Sequence, residues 1–411
     1  MPSSSIVRSD DLRDGNRRRV LGTLRANGPC SPAQLAEHTR LSAASISSLT
    51  SQLAEQNVVT SSRQKSDNVS RGRPQSQIKL NASAGDIVTL NLAIDLVQVQ
   101  RINYAGVALH NTALHTPLGS MSESTLVEFI CKAVKKVMAL DIGHPVQRIG
   151  VAFQGVTENA TGALSWSPII KHHNLKLGHI LQSTFDIPVS VNNDCRLISE
   201  ALSNSSADIL GHSFATLLFS YGVGLGLYIE GKPFSGIRTS GLELGHLRFE
   251  RNGSLCRCGR HGCIEAYAAD YGILRLASGE SIHETPAGRV EAAQIQELCK
   301  AGLAGNNPAE QAFAIAGAAI GDGLSTLFTL LDPMPVALVG RSVEGFELMR
   351  KGVKSVFAEN NQGDVNIDDL LHCFDDAQPL LEDGLTSNTL SLLDTQFAYQ
   401  TQSADALRST S

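Results

Sequence analysis

The chain has 411 residues, 42% of them hydrophobic and 18% charged, with a formal net charge of −6 at pH 7. These values predict a soluble globular protein of two or three domains with a large core. No run reaches the roughly 18 apolar residues of a membrane span, and the first residues lack the apolar segment of a secretory signal, so a cytoplasmic protein is expected.

Charge is spread unevenly. Residues 1–80 carry 12 Lys and Arg against 6 Asp and Glu, and the rest of the chain is acidic. A basic head on an acidic body predicts that the head meets a polyanion, with a merely solvated basic face as the plain alternative. Residues 15–27 place Val20, Leu21 and Leu24 on one helical face, and Gly28-Pro29 ends that helix. Ser31 caps a second helix with Pro32 at its first position. Ser42 caps a third, with Ile46, Leu49 and Leu53 on its buried stripe. Val58-Val59 and Gln77–Leu80 read as two strands around a polar loop. Three short helices and a hairpin predict a winged helix-turn-helix over residues 1–80.

The third helix exposes Ser42, Ser45, Ser47, Ser48 and Ser51, short groups that let a helix lie deep in a major groove. The wing carries Arg63, Lys65, Arg71 and Arg73, and Arg71-Gly72-Arg73 offers guanidinium groups to a narrow minor groove. The competing readings are an ordinary solvated helix face, a loose charged loop, and a winged helix used for protein contacts.

The body begins near residue 81. Strands are expected at 86–95, 98–102, 106–109, 148–153 and 189–191, with a helix at about 122–140. Asn192, Asn193 and Asp194 then open a helix through Leu202. A second round has strands at 214–220, 224–230 and 335–339, and helices near 263–277, 290–303, 307–331 and 343–359. Three antiparallel strands leading into alternating helices and parallel strands, twice over, predict two α/β lobes with a cleft between them. Asn193-Asp194 sits at a strand end, where α/β sheets place ligands; helix capping is the plain alternative for Asp194. The last residues, 399–411, read as a disordered tail.

Between the second lobe's strands and helices lies GLELGHLRFERNGSLCRCGRHGCIE, Gly241 to Glu265. It holds His246, Cys256, Cys258 and Cys263, three thiols and an imidazole that complete a tetrahedral set for a structural zinc ion. The spacing is not that of a two-Cys, two-His finger. Gly253, Gly259 and Gly262 let the loop fold back on itself. The other five cysteines are scattered singly, which fits a reducing compartment with one metal site rather than disulfides.

This loop resembles the signature of the ROK family of repressors, open reading frames and sugar kinases. The shared residues are Glu243, Gly245, His246, Cys256, Cys258, Gly259, Gly262, Cys263 and Glu265. The resemblance implies an actin-like ATPase fold for the two lobes, with a body over 81–398 and the zinc loop at 246–263. It also implies that Glu243, His246 and Glu265 contact sugar hydroxyls, joined by Asn193 and Asp194, with Asp194 at the place of the kinases' general base. Gly155 would allow close backbone approach nearby.

The family's kinases carry Asp-x-Gly-Gly-Thr after the first strand. Here the matching residues are Asp95-Leu96-Val97-Gln98-Val99, without either glycine or the threonine. A second phosphate loop survives in part as Gly222-Val223-Gly224-Leu225-Gly226, for which a glycine-rich turn is the plain alternative. The late glycine run is reduced to Gly340, followed by Arg341, which would crowd the site. Nucleotide binding is therefore expected to be lost or poor, and Asp194 to serve as a ligand contact.

The expectation is a sugar-responsive regulator, a repressor similar in organisation to the family's N-acetylglucosamine-, glucose- and xylose-responsive repressors. It would bind operator DNA and a sugar or sugar phosphate, and act as a homo-dimer or tetramer. The alternative is a sugar kinase with an appended DNA-binding head; a regulator steered by a protein partner is the third reading.

Overall fold

The computed structural model describes residues 9–63, 76–219, 221–286, 290–360 and 365–399. The head consists of α1 (Ser9–Asn27), α2 (Pro32–Thr39), α3 (Ala43–Glu55), β1 (Val59–Arg63) and β2 (Ser76–Leu80). Ser31 and Gln34 close a reciprocal capping box at the start of α2, and the Ser42 hydroxyl caps α3 by accepting from Ser45 N. The strands form an antiparallel wing with Val59 opposite Leu80 and Arg63 opposite Ser76.

The first lobe comprises β3 (Asp86–Ala93), β4 (Leu96–Asn103), β5 (Ala108–His115), α4 (Glu123–Met138), β6 (Val146–Phe153), the small hairpin β7 (Val156–Thr157) and β8 (Leu164–Trp166), α5 (Leu177–Phe185), β9 (Val189–Asn193) and α6 (Asp194–Ser205). A turn of helix, α7 (Ala207–Leu210), leads to the second lobe. That lobe holds β10 (Phe214–Phe219), β11 (Val223–Ile229), β12 (Lys232–Pro233), α8 (Glu265–Ala268), α9 (Asp270–Ser278), α10 (Ala292–Leu303), α11 (Asn307–Leu331), β13 (Val336–Val339), α12 (Phe346–Glu359), α13 (Ile367–Leu370) and β14 (Leu371–Phe374). A last helix, α14 (Ala377–Tyr399), returns to the first lobe and the head.

The two main sheets are built to one plan. Their orders are β5-β4-β3-β6-β9 and β12-β11-β10-β13-β14, in each case an antiparallel meander followed by two parallel strands. In each the first strand of the meander is central and almost wholly buried, which explains its nearly continuous apolar reading. The 25-residue α11 is long and apolar enough to cross a membrane, the only such helix among the described residues. It is a core helix here, with Phe313, Ile320 and Leu324 fully or almost fully buried against α12 and its neighbours.

Several expectations shift. The first body strand stops at Ala93, and Ile94-Asp95 form the turn into β4. The third strand runs from Ala108 to His115 as a half-exposed edge, not from Gly106 to Leu109. Asn192 and Asn193 finish β9, so α6 starts at Asp194. The stretch from Arg341 to Gly345 is a 3-10 turn preceding α12. Beyond Glu359 the sequence offered no element, yet β14 and α14 lie there, and Tyr399 belongs to α14 rather than to a tail. Residues 400–411 lie outside the described residues.

Head and body share a hydrophobic core. Val20, Leu21 and Leu24 of α1 pack in one cluster with Tyr104, Leu390, Leu393 and Phe397. Polar groups tie the same surface. Arg25 donates to Asp394 and to Tyr104 O, while fully buried Arg17 donates to Ala398 O at 3.2 Å and to Gln52 Oε1 of α3 at 2.8 Å.

Candidate functional site

The segment Gly241–Glu265 is held by short-range geometry. A 3-10 turn at Leu244–His246 presses Gly245 against the Val223 carbonyl, where a Cβ would collide. Gly262, at φ +76°, lies against the Glu250 backbone and leaves equally little room. Bonds from Cys256 N to Arg260 O and from Gly259 N to Cys256 O, both 2.9 Å, close the hairpin tip. This folding brings one ligand atom from each of His246, Cys256, Cys258 and Cys263 within 4.8 Å of the others. Cys258 Sγ and Cys263 Sγ are 3.7 Å apart, and Cys256 Sγ is 3.8 Å from His246 Nδ1. A tetrahedral zinc ion with bonds of about 2.3 Å to sulfur requires S···S edges of roughly 3.8 Å. The cluster fits that ion, and the sulfurs are too far apart for a disulfide.

The other face of this loop forms a cavity. His246 turns Nδ1 to the sulfurs, and Nε2 lies 3.5 Å from Glu243 Oε2. Glu265, at the first turn of α8, lies 3.4 Å from Cys256 Sγ and accepts from Tyr271 OH at 3.3 Å. A Cβ at Gly222 would stand 2.6 Å from Glu265 Oε2, so the glycine makes room for the carboxylate. All five residues expected to meet a ligand, Asn193, Asp194, Glu243, His246 and Glu265, line this cavity.

They are not equivalent. Asn193 is bonded once at each end of its amide: Oδ1 accepts from Arg196 N to cap α6, and Nδ2 donates to Gly155 O at 2.8 Å. These bonds fix the amide in place and leave one N–H and one lone pair. Gly155, at φ +134°, makes its close approach to the Trp166 carbonyl and to Ser167. Asp194 is 6% exposed. Burial pushes its carboxyl up to about 6, Glu243's charge adds to this, and the bond from Cys195 N opposes it. The Glu243 carboxyl is also raised, first by the protein around it although its side chain is 42% exposed, while His246 opposes the rise and Glu265 adds to it.

Gln154, Trp166 and Tyr221 also line the cavity and were missed. Trp166 stands edge-on to His246 with ring centroids 5.3 Å apart. Its one available signal was being the chain's single tryptophan. Gln154 follows the apolar run of β6, as ligand-facing residues at strand ends do.

A second cavity adjoins the first, sharing Gln154, Asp194, Leu218 and Tyr221, and its lining includes Asp95 and Gly340 from two of the segments compared above with phosphate loops. The two-residue turn Ile94-Asp95, with Ala93 opposite Leu96, stands where a phosphate loop would be needed. Gly224 and Gly226 lie within β11, and added Cβ atoms would strike Cys195 Sγ and Ser199 Oγ of α6. These glycines serve strand–helix packing inside a strand, which is neither the phosphate loop nor the glycine-rich turn weighed for them. Gly340 N donates to Phe374 O at 3.0 Å. The Arg341 side chain lies outside the described residues. Arg257, unremarked in the sequence between Cys256 and Cys258, lies over the Tyr221 ring at 3.5 Å and the Tyr271 ring at 4.1 Å, and donates to Tyr221 O.

In the head, Ile46, Leu49 and Leu53 of α3 face the core, while Ser42, Ser47, Ser48 and Ser51 are exposed and Ser45 is half-buried. Ser42 Oγ is occupied by Ser45 N and lies 2.9 Å from Ser45 Oγ, and Ser48 Oγ accepts from Gln52 at 3.3 Å. Lys65, Arg71 and Arg73 of the wing lie outside the described residues, as does the side chain of Arg63.

Comparison with known proteins agrees with this fold. The ROK family model matches residues 95–370 and the MarR family model matches residues 16–68. The xylose repressor of Caldicellulosiruptor bescii is 25% identical over 371 residues, covering 85% of this chain and 89% of its own. The DNA-binding transcriptional dual regulator NagC of Escherichia coli K12 is 23% identical over 360 residues, 86% of each chain. The crystal structure of a ROK family transcriptional regulator, a homolog of the E. coli MLC protein, superposes with a TM-score of 0.75 at 20% identity, over 94% of this chain and 98% of that one. A ROK family glucokinase from Streptomyces griseus, in complex with glucose and AMPPNP, matches with a TM-score of 0.56 at 21% identity, over 74% of this chain and 99% of its own.

Proposed function

The chain belongs to the ROK family, and we propose that it is a sugar-responsive transcriptional repressor that binds operator DNA through its head and a sugar through its body. The observation that carries this reading is the shared core of the two parts: a winged helix packed directly on a ROK body whose carboxylate-lined cavity is intact. Helix α3 enters the major groove with Ser47 and Ser48 outward and Ser42 and Ser45 at its start, and Arg71 and Arg73 of the wing reach the neighbouring minor groove. His246, Cys256, Cys258 and Cys263 hold a structural zinc ion that stiffens the loop carrying Glu243 and Glu265. The ion supplies folding energy there and no open position for chemistry.

Asp194, Glu243 and Glu265 take the sugar hydroxyls, with His246 beside them. Helix α14 couples that site to the head. Asn388 accepts from Asn192 at 3.1 Å and donates to Glu200 at 2.8 Å, and within two turns Asp394 of the same helix holds Arg25. A sugar with different affinity for two settings of this helix shifts the head's grip on DNA. The active form is a homo-oligomer, since paired heads match paired half-sites. It works in the cytoplasm, where its eight cysteines, three of them on the metal, stay out of disulfides.

The test is operator binding by fragments of the gene's own promoter region, with and without a panel of sugars. Retardation that weakens steeply with salt and changes with one sugar is expected. Glu243→Ala is expected to lose the sugar response and keep DNA binding; loss of DNA binding alone would count against the sensor.

The kinase reading retains one favourable observation, a buried Asp194 whose carboxyl lies near 6 beside the cavity. Against it stands the two-residue turn at Ile94-Asp95. Steady phosphorylation of any hexose or hexosamine with ATP would restore it.

A further inference from the structure

Resting on the operator reading above, we infer that α3 selects its half-site through thymine methyl groups, met by the side chains of Ala43 and Ala44, and not through paired hydrogen bonds to purines. The first argument is what the helix lacks. Purine edges in the major groove are told apart by long side chains that bond two atoms at once, arginine or lysine on guanine and asparagine or glutamine on adenine. The sequence of α3, AASISSLTSQLAE, has no arginine, lysine or asparagine, and its only charge is Glu55 in the last position. Its one glutamine, Gln52, is tied to the protein. Gln52 Oε1 accepts from Nη2 of fully buried Arg17 at 2.8 Å, and Nε2 donates to Ser48 Oγ at 3.3 Å. An adenine needs both ends of that amide, and here the oxygen is held by a guanidinium inside the head.

The second argument is what the helix presents. Residues at the start of a recognition helix meet the base edges, and Ala43, Ala44 and Ser47 are exposed at that end of α3. The Ser42 hydroxyl before them accepts from Ser45 N to cap the helix. A serine hydroxyl both donates and accepts, so Ser47 suits every base pair and selects none strongly. The two alanine methyls have one preferred partner in the groove, the C5 methyl that thymine alone carries. With no side chain longer than serine at this end, the helix comes close enough for methyl to touch methyl. Ile46, Leu49 and Leu53 hold the opposite face in the core, and this fixes the rotation that turns the alanines outward.

The test uses the full chain with its metal and, as probe, the shortest fragment of the gene's own promoter region that it retards. Each thymine in turn is replaced by deoxyuridine, which removes the C5 methyl and nothing else. At one or more thymines of each half-site, affinity is expected to fall about threefold to fourfold, the worth of one buried methyl. The double variant Ala43→Gly, Ala44→Gly is expected to bind the normal and the deoxyuridine fragments alike. Replacing any guanine by 7-deazaguanine, which removes the N7 acceptor, is expected to cost less than the thymine methyl does. An operator indifferent to every deoxyuridine, a double variant as sensitive as the parent chain, or a guanine N7 that matters more than the methyl overturns the inference. The deoxyuridine scan on the unaltered chain decides it even if the double variant does not fold. Failure to retard any promoter fragment overturns the operator reading itself, a separate outcome.

Discussion

Arg25 of the first helix and Asp394 of the last meet in a two-pronged bond, Nε to Oδ2 at 2.9 Å and Nη2 to Oδ1 at 2.6 Å, and Tyr104 OH donates to Oδ1 at 2.6 Å. The pair is mostly out of water, with side-chain exposures of 17% and 7%. Its members are 369 residues apart in sequence. It joins the winged-helix head to the helix that packs on α6, whose first residue, Asp194, lines the cavity.

Removing one partner leaves the other charge stranded. Asp394→Ala is expected to destabilise the protein by about 3–5 kcal/mol, with Asp394→Asn milder because it keeps an acceptor for Tyr104. Hydrogen exchange should show α1 opening first, and operator affinity should fall with it. Unchanged protection of α1 in Asp394→Ala would mean that this contact does not hold the head.

Metal content gives a second prediction. The purified protein is expected to carry one zinc ion per chain, and Cys258→Ser to lose it. The variant should lose sugar binding and soften the second lobe, while the head keeps its fold and affinity for DNA. Elemental analysis together with sugar titration checks this; a metal-free variant with full sugar response would refute it.

The buried carboxyl of Asp194 makes sugar binding depend on pH. Its folded value, about 6, lies above the ordinary 3.8. Below pH 6 the group is neutral and accepts hydroxyl protons poorly, so affinity should fall between pH 7 and pH 5. The stability contribution has the opposite sense. It is fully present below 3.8 and lost as pH rises through 6. Asp194→Asn is therefore expected to stabilise the protein at pH 7 by about 1–3 kcal/mol, to gain nothing at pH 3.5, and to bind sugar weakly without the pH slope. Denaturant midpoints at the two pH values decide it.

Trp166 is the only tryptophan and lines the cavity. Intrinsic emission excited at the indole band should change on sugar binding, and the change should vanish in Trp166→Phe. Gly224→Ala, whose methyl would strike Cys195 Sγ, should displace the start of α6, cost about 1–3 kcal/mol and reduce the same signal.

What could be read from the sequence, and what could not, divides along physical lines. Ser31-Pro32 and Ser42 announce helix starts by local chemistry, and the Cys-rich loop announces its ligands by spacing, so both were legible. Helix α14 was not. It packs on α6, β6 and α1 at once, so its buried residues, which include Thr389 and Asp394, do not form a single apolar stripe. β5 was misplaced because an edge strand with polar Asn111 and Thr112 lacks the apolar alternation that marks a strand. At the site, charged groups in a motif were found, but Gln154 and Trp166 carry no motif. The bonds that fix the Asn193 amide, from Arg196 N and to Gly155 O, were not legible either, because sequence does not show which partners an amide already has.

Arg17 sits with no exposed surface between Gln52 of the recognition helix and the carbonyl of Ala398. Residues 381 positions apart in the chain therefore close one core. A chain cut ahead of α14 would keep α1, α2 and α3 and leave that core open.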